Sequence, residues 1–75
     1  MAGLIPIAAC KQGEKLNIVS IKTFDDIMLR KLAVFGILPG AEVQVLQTKP
    51  AFVLQVDYTQ LAVDDTIAGI IYGYR

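Results

Sequence analysis

Between Asp25 and Val45 the chain spells a helix, a forced stop and the start of a strand within about twenty residues, and few folds accommodate that order. Asp25 and Asp26 stand where carboxylates meet the positive end of a helix dipole, and Thr23 or Asp25 is placed to cap the first free amides. Met28, Leu32 and Phe35 fall at i, i+4 and i+7, the spacing of one buried helical face. Gly36 then occupies the position after the cap, where the left-handed conformation costs a residue without a Cβ almost nothing. With Gly36 there, Ile37 is expected to fold back onto Leu32, the apolar contact that accompanies a Schellman ending. Pro39 bars further helix, and the turn Leu38-Pro39-Gly40 launches the strand that carries Val43 and Val45.

The flanking segments read as strands. Gly13 marks a turn into Lys15–Ile21, where β-branched residues dominate. Glu42–Gln47 alternates polar and apolar with period two, which turns Val43 and Val45 to the core, and Pro50 interrupts it. Phe52–Val56 and Thr59–Val63, joined at Asp57-Tyr58, form a hairpin. Asp64-Asp65-Thr66 resembles one capped helical turn, and Ile70-Ile71-Tyr72 supplies a last strand. The expectation is a mainly β fold: a small barrel of about five strands, with one helix inserted between the first and second, that hides its edges by closing on itself. The 75 residues make one domain, without repeat or linker.

A chain this short buries only about 60% of its unfolded surface and needs a dense core or a staple. Its residues are 55% hydrophobic, whereas one cysteine forms no internal disulfide and the absence of histidine removes the usual zinc ligands, a pattern that suits a reducing cytoplasm. Seven Lys or Arg balance seven Asp or Glu, so the basic footprint of a nucleic-acid binder is missing. Mean hydropathy is +0.54, yet no run reaches the roughly 18 apolar residues that cross a bilayer, so no membrane insertion is expected. That apolar surplus and zero net charge point to association with another protein and to some tendency toward weak homo-oligomers. Ile7-Ala8-Ala9-Cys10 has the residue types of a lipoprotein cleavage site, but Met1–Pro6 supplies neither the positive nor the apolar region of a signal, and Cys10 reads as a small buried hydrophobe.

Gly13 with Ile18 and Ile21, then Leu32, Phe35-Gly36-Ile37, Pro39-Gly40 and Val43-x-Val45, followed by Leu61-Ala62-Val63, Ala68 and Ile71, resembles the signature of the FeoA family, ferrous iron transport protein A. The resemblance covers roughly residues 7 to 72. The same helix-to-strand block occurs in the C-terminal domain of repressors of the diphtheria-toxin-repressor type. What it implies is an SH3-like β-barrel, a cytoplasmic location and an accessory role in bacterial ferrous iron uptake beside the GTPase transporter FeoB. The chain departs from the family pattern in a shortened loop at Pro50-Ala51-Phe52, in Tyr58 where glycine is usual, and in Asp64 and Asp65 where relatives often carry basic residues. Cys10 stands where leucine is common.

Chemistry is sparse. No histidine, no base beside a serine or threonine, and neither phosphate-binding glycine motif is present, so neither an enzyme nor a cofactor is expected. Ferrous iron favours histidine with carboxylate or thiolates, whereas this chain offers the pairs Asp25-Asp26 and Asp64-Asp65, which serve better as helix starts. The surplus lies on the helix. Ile27 and Val34, with Leu38 in the turn beyond, are not needed for a single core stripe: either the barrel wraps widely enough to bury them, or they form an apolar patch for a partner, rimmed by Arg30 and Lys31. The expected partner contact is therefore Ile27, Val34, Leu38, Arg30 and Lys31, and the expected partner the cytosolic GTPase region of a FeoB-type transporter. The alternatives are a free-standing regulatory or peptide-binding module related to metal-dependent repressors, with Phe52, Tyr58 and Tyr72 lining a groove, or a transition-metal-binding protein.

Overall fold

Burial alternates with period two along strand β2 (Lys15–Ile21), where Leu16 and Ile18 are enclosed while Lys15, Asn17 and Val19 face solvent. The same alternation buries Val43 and Val45 of β3 (Glu42–Gln47) and Phe52, Leu54 and Val56 of β4 (Phe52–Val56). In this computed structural model, which describes residues 3–75, these strands join β1 (Ile5–Pro6), β5 (Thr59–Val63) and β6 (Ile71–Tyr74) in one antiparallel sheet ordered β1-β6-β2-β3-β4-β5. A 3-10 turn (Ile7–Ala9) follows β1, and the helices are α1 (Asp26–Val34) and α2 (Asp65–Ala68).

The sheet curls without hydrogen-bonding its two ends to each other. Helix α2, which follows β5, packs on the 3-10 turn that follows β1, each piece contributing a fully buried residue, Ala68 and Ile7. Closure by side-chain packing rather than by a ladder is where the fold differs from the expected closed barrel. The strand count differs too: β1 makes six among the described residues, so α1 lies between β2 and β3. Strand β1 is two residues long and includes Pro6, a composition that reads as non-strand unless the segment is at a sheet edge, which is where it lies.

Asp25 is the N-cap of α1, its carboxylate accepting from the amides of Ile27 (3.0 Å) and Met28 (3.1 Å). Thr23 sits two residues earlier, its hydroxyl accepting from the Asp25 amide. Asp64 does the same for α2 by accepting from the Ile67 amide at 2.8 Å. An N-cap contributes about 1 kcal/mol. Asp25→Ala is accordingly expected to lower the thermal midpoint by about 4–8 °C for a domain of this size, as followed by circular dichroism, with Asp25→Ser nearly silent.

Cys10 is buried, its thiol 3.9 Å from the Pro6 carbonyl. Burial pushes that thiol above its ordinary range, the Glu14 carboxylate adds to the shift and Arg75 opposes it. A group so placed is a packing residue. Arg75 in turn donates from Nε to the Glu14 carboxylate at 2.6 Å, and that bond, with a second from the Lys11 amide, holds Glu14 below the usual carboxylate range.

Candidate functional site

Helix α1 ends as its sequence dictates. Phe35 is the C-cap, the Gly36 amide donates to the Ala33 carbonyl and the Ile37 amide to the Leu32 carbonyl, both at 2.9 Å, with Gly36 at φ 87°. This is a complete Schellman motif. Ile37 is fully buried and Leu32 nearly so, both in the main core. The turn after it is tied to the sheet, since the Gly40 amide donates to the Ile18 carbonyl and the Ile18 amide to the Ala41 carbonyl.

The face that α1 presents to the core is narrower than its spacing suggests. Leu32 is the helix's buried residue and Met28 packs against the core half-buried, but Phe35 is 44% exposed. The i+7 position assumes that helical geometry persists, whereas Phe35 already sits at φ −87°, ψ 3°, and the residue buried beyond that end is Ile37. Phe35 therefore does not belong to the core stripe.

At about 100° per residue, Ile27, Arg30, Lys31 and Val34 share one side of the helix, and Ile27 and Val34 lie about 140–160° around from Leu32. All four are exposed, Ile27 at 66% and Val34 at 81%, so the wide-wrapping barrel that would have buried them is not what forms. Leu38, in the turn beyond, is 44% exposed. Arg30 and Lys31 are interleaved with the apolar residues on this side rather than arranged as a rim around them. Lys31 also falls in the last helical turn, where a cation meets the negative end of the dipole.

Phe24, outside the expected contact set, is fully exposed immediately before the N-cap and lines a groove of about 430 Å³ with Ile21, Lys22 and Thr23. Phe24 precedes Ile27 by three residues, the spacing of one helical side, so the apolar side of α1 extends one step before the N-cap in the sequence. Asp25 and Asp26 are at one helix start and Asp64 and Asp65 at another, and no group of three or more metal-ligating side chains converges among the described residues. Phe52 is buried, whereas Tyr58 is fully exposed at the hairpin tip and Tyr72 lies under the Lys22 ammonium, 5.2 Å from the ring centre. These three do not line one groove.

A six-stranded antiparallel sheet curled around an aliphatic core, with a helix between its second and third strands, defines a small, mainly β domain of the SH3-like class. Residues 5–75 match the model of the FeoA domain, and the chain belongs to the FeoA family. A search of curated protein sequences returned no match. Among solved structures, an iron uptake regulatory protein (FeoA) is similar with a TM-score of 0.85 and 26% identity, over 96% of this chain and 97% of that one. The FeoA of Stenotrophomonas maltophilia, solved with zinc and described as an SH3 domain protein, gives a TM-score of 0.76 at 19% identity over 89% and 86% of the two chains. The IdeR of T. acidophilum gives 0.87 at 22%, over 96% of this chain but 34% of its own.

Proposed function

We propose that this chain is a non-enzymatic, cytoplasmic accessory protein of ferrous iron uptake that acts by docking on the cytosolic GTPase region of a FeoB-type transporter. Family membership supports the link to ferrous iron transport. The observation that carries the docking surface is the outward side of α1: Ile27, Val34 and, beyond the turn, Leu38 are solvent-exposed aliphatic side chains on a helix that buries only Leu32. Exposed apolar surface on a small domain is a common mark of an interface. Arg30 and Lys31 add positive charge to the same side, suited to an acidic counterpart. This side of the helix rests on a rigid corner, since the Schellman ending and the bonds from Gly40 and Ala41 to Ile18 fix where Val34 and Leu38 stand.

Co-purification and calorimetry with a FeoB-type GTPase domain test the reading. Val34→Asp and Leu38→Asp are each expected to weaken binding at least about tenfold, the loss of one anchor of roughly 1.4 kcal/mol. Arg30→Glu combined with Lys31→Glu is expected to slow association and reduce its salt dependence. Binding that both aspartate substitutions leave untouched rules this surface out.

A further inference from the structure

Strand β5 lies at the end of the sheet opposite β1. It pairs with β4 in five consecutive registered positions, from Val56↔Thr59 to Phe52↔Val63, without a bulge, and it is the last strand of the sheet. A two-residue turn makes Val56 and Thr59 a hydrogen-bonded pair, so alternation along an antiparallel ladder turns the main-chain groups of Thr59, Leu61 and Val63 toward β4 and those of Gln60 and Ala62 outward. Both Gln60 and Ala62 are exposed, and among the described residues no backbone hydrogen bond is made to the outer side of β5.

Open edges are normally blunted by lysine, proline, a bulge or a very short strand. The opposite edge follows that rule, with β1 only two residues long and ending in Pro6. Edge β5, with the sequence Thr-Gln-Leu-Ala-Val, has none of these devices. What it has instead is acid at both ends: Asp57 in the turn before it, Asp64 and Asp65 directly after it. In the self-pairing that satisfies both outward residues, Gln60 opposite Ala62 of a second copy and the reverse, the turn that carries Asp57 in one copy falls at the end that carries Asp64 and Asp65 in the other. Like charges at both ends disfavour that dimer. The same charges favour a different occupant.

We propose that β5 accepts an extended segment of another protein as a seventh strand, a segment of about five uncharged residues flanked at each end by lysine or arginine. Main-chain bonds at Gln60 and Ala62 supply the attachment, and the flanking acids choose the partner. This surface shares no residue with the outward side of α1, so either stands if the other fails.

The test titrates the full chain, isotopically labelled, with a capped nonapeptide KKTVTVTKK and with its acid-flanked counterpart EETVTVTEE. The expected result is saturable shifts centred on the Gln60 and Ala62 amides, slowed exchange at those two amides, and binding of the acid-flanked peptide weaker by about tenfold or more. Added salt is expected to weaken the basic peptide. Ala62→Pro removes an outward amide that β4 does not use and is expected to abolish binding. Should that variant not fold, Asp57→Asn with Asp65→Asn, which keeps the edge and removes flanking charge, is expected to lower affinity for the basic peptide several-fold. Absent or non-saturable shifts, shifts centred on another element, or equal affinity for the two peptides would overturn the proposal. Sedimentation showing a dimer whose interface protects Gln60 and Ala62 would overturn it in favour of a second copy.

Discussion

Gly73→Ala is expected to destabilise the protein by at least about 3 kcal/mol, more than any substitution of a solvent-exposed residue. Gly73 lies within β6, enclosed between β1 and β2, where it pairs with Ile5 on one side and Ile18 on the other. The register of β2 on β6 shifts between Ile18 and Ser20, and beside this irregularity the two backbones approach closely. A Cβ on residue 73 would overlap the Asn17 carbonyl oxygen and stand 2.7 Å from its carbonyl carbon and 3.1 Å from the Ile18 Cα. Those atoms are main chain in a central strand, so relief requires β2 and β6 to separate. A domain of this size has on the order of 4–11 kcal/mol of total stability, which makes the loss visible as a large fall in the urea midpoint at unchanged slope. Gly3→Ala, where the added carbon meets nothing within 4 Å, is the control and is expected to leave the midpoint in place. A Gly73→Ala midpoint equal to the control would mean that the strands have room that the register does not show.

Why some of this architecture is legible from residues alone, and some is not, comes down to how local its causes are. The Asp25 cap and the Schellman ending at Gly36 are settled within a few residues of chain, and the structure realises both. Strands β2 to β5 follow from signals that each segment carries by itself, β-branched content in Lys15–Ile21, alternation in Glu42–Gln47 and two apolar runs about a short turn in Phe52–Val56 and Thr59–Val63, and all four have the bounds those signals give. Strand β1 is different: Ile5 and Pro6 have no period to read and become a strand because β6 offers an edge to pair with. Phe35 failed as a core residue because helical geometry stops before it, at Val34, and the residue buried beyond the helix is Ile37. The close approach at Gly73 had a local hint, a glycine between Tyr72 and Tyr74 in an otherwise bulky strand, but its cause is the path of β2, more than fifty residues earlier in the chain. Of the candidate contact residues, the exposure of Ile27, Val34 and Leu38 depended on how far the sheet curls, a quantity no segment encodes alone. Once the helix is placed, that exposure is a consequence of Leu32 and Met28 anchoring it on the opposite side.

Neighbouring positions on either side of the helix end separate what holds the fold from what faces outward. Ile37→Ala is expected to cost about 2–5 kcal/mol, because Ile37 is fully buried among aliphatic neighbours and the void left behind adds to the lost transfer energy. Val34→Ala, three residues earlier and 81% exposed, is expected to stay within about 0.5 kcal/mol, since little apolar area returns to water and alanine is the better helix former. Urea denaturation of the two variants measures the difference directly. If the outward side of α1 is an interface, binding to the GTPase domain ranks them in the opposite order at temperatures where both are folded: Val34→Ala loses affinity, while Ile37→Ala, whose side chain no partner reaches, keeps it. A Val34→Ala protein as destabilised as Ile37→Ala would show that α1 packs more of itself than Leu32 and Met28. The apolar residues on its outward side would then have a structural cause, and the docking surface would lose the observation it rests on.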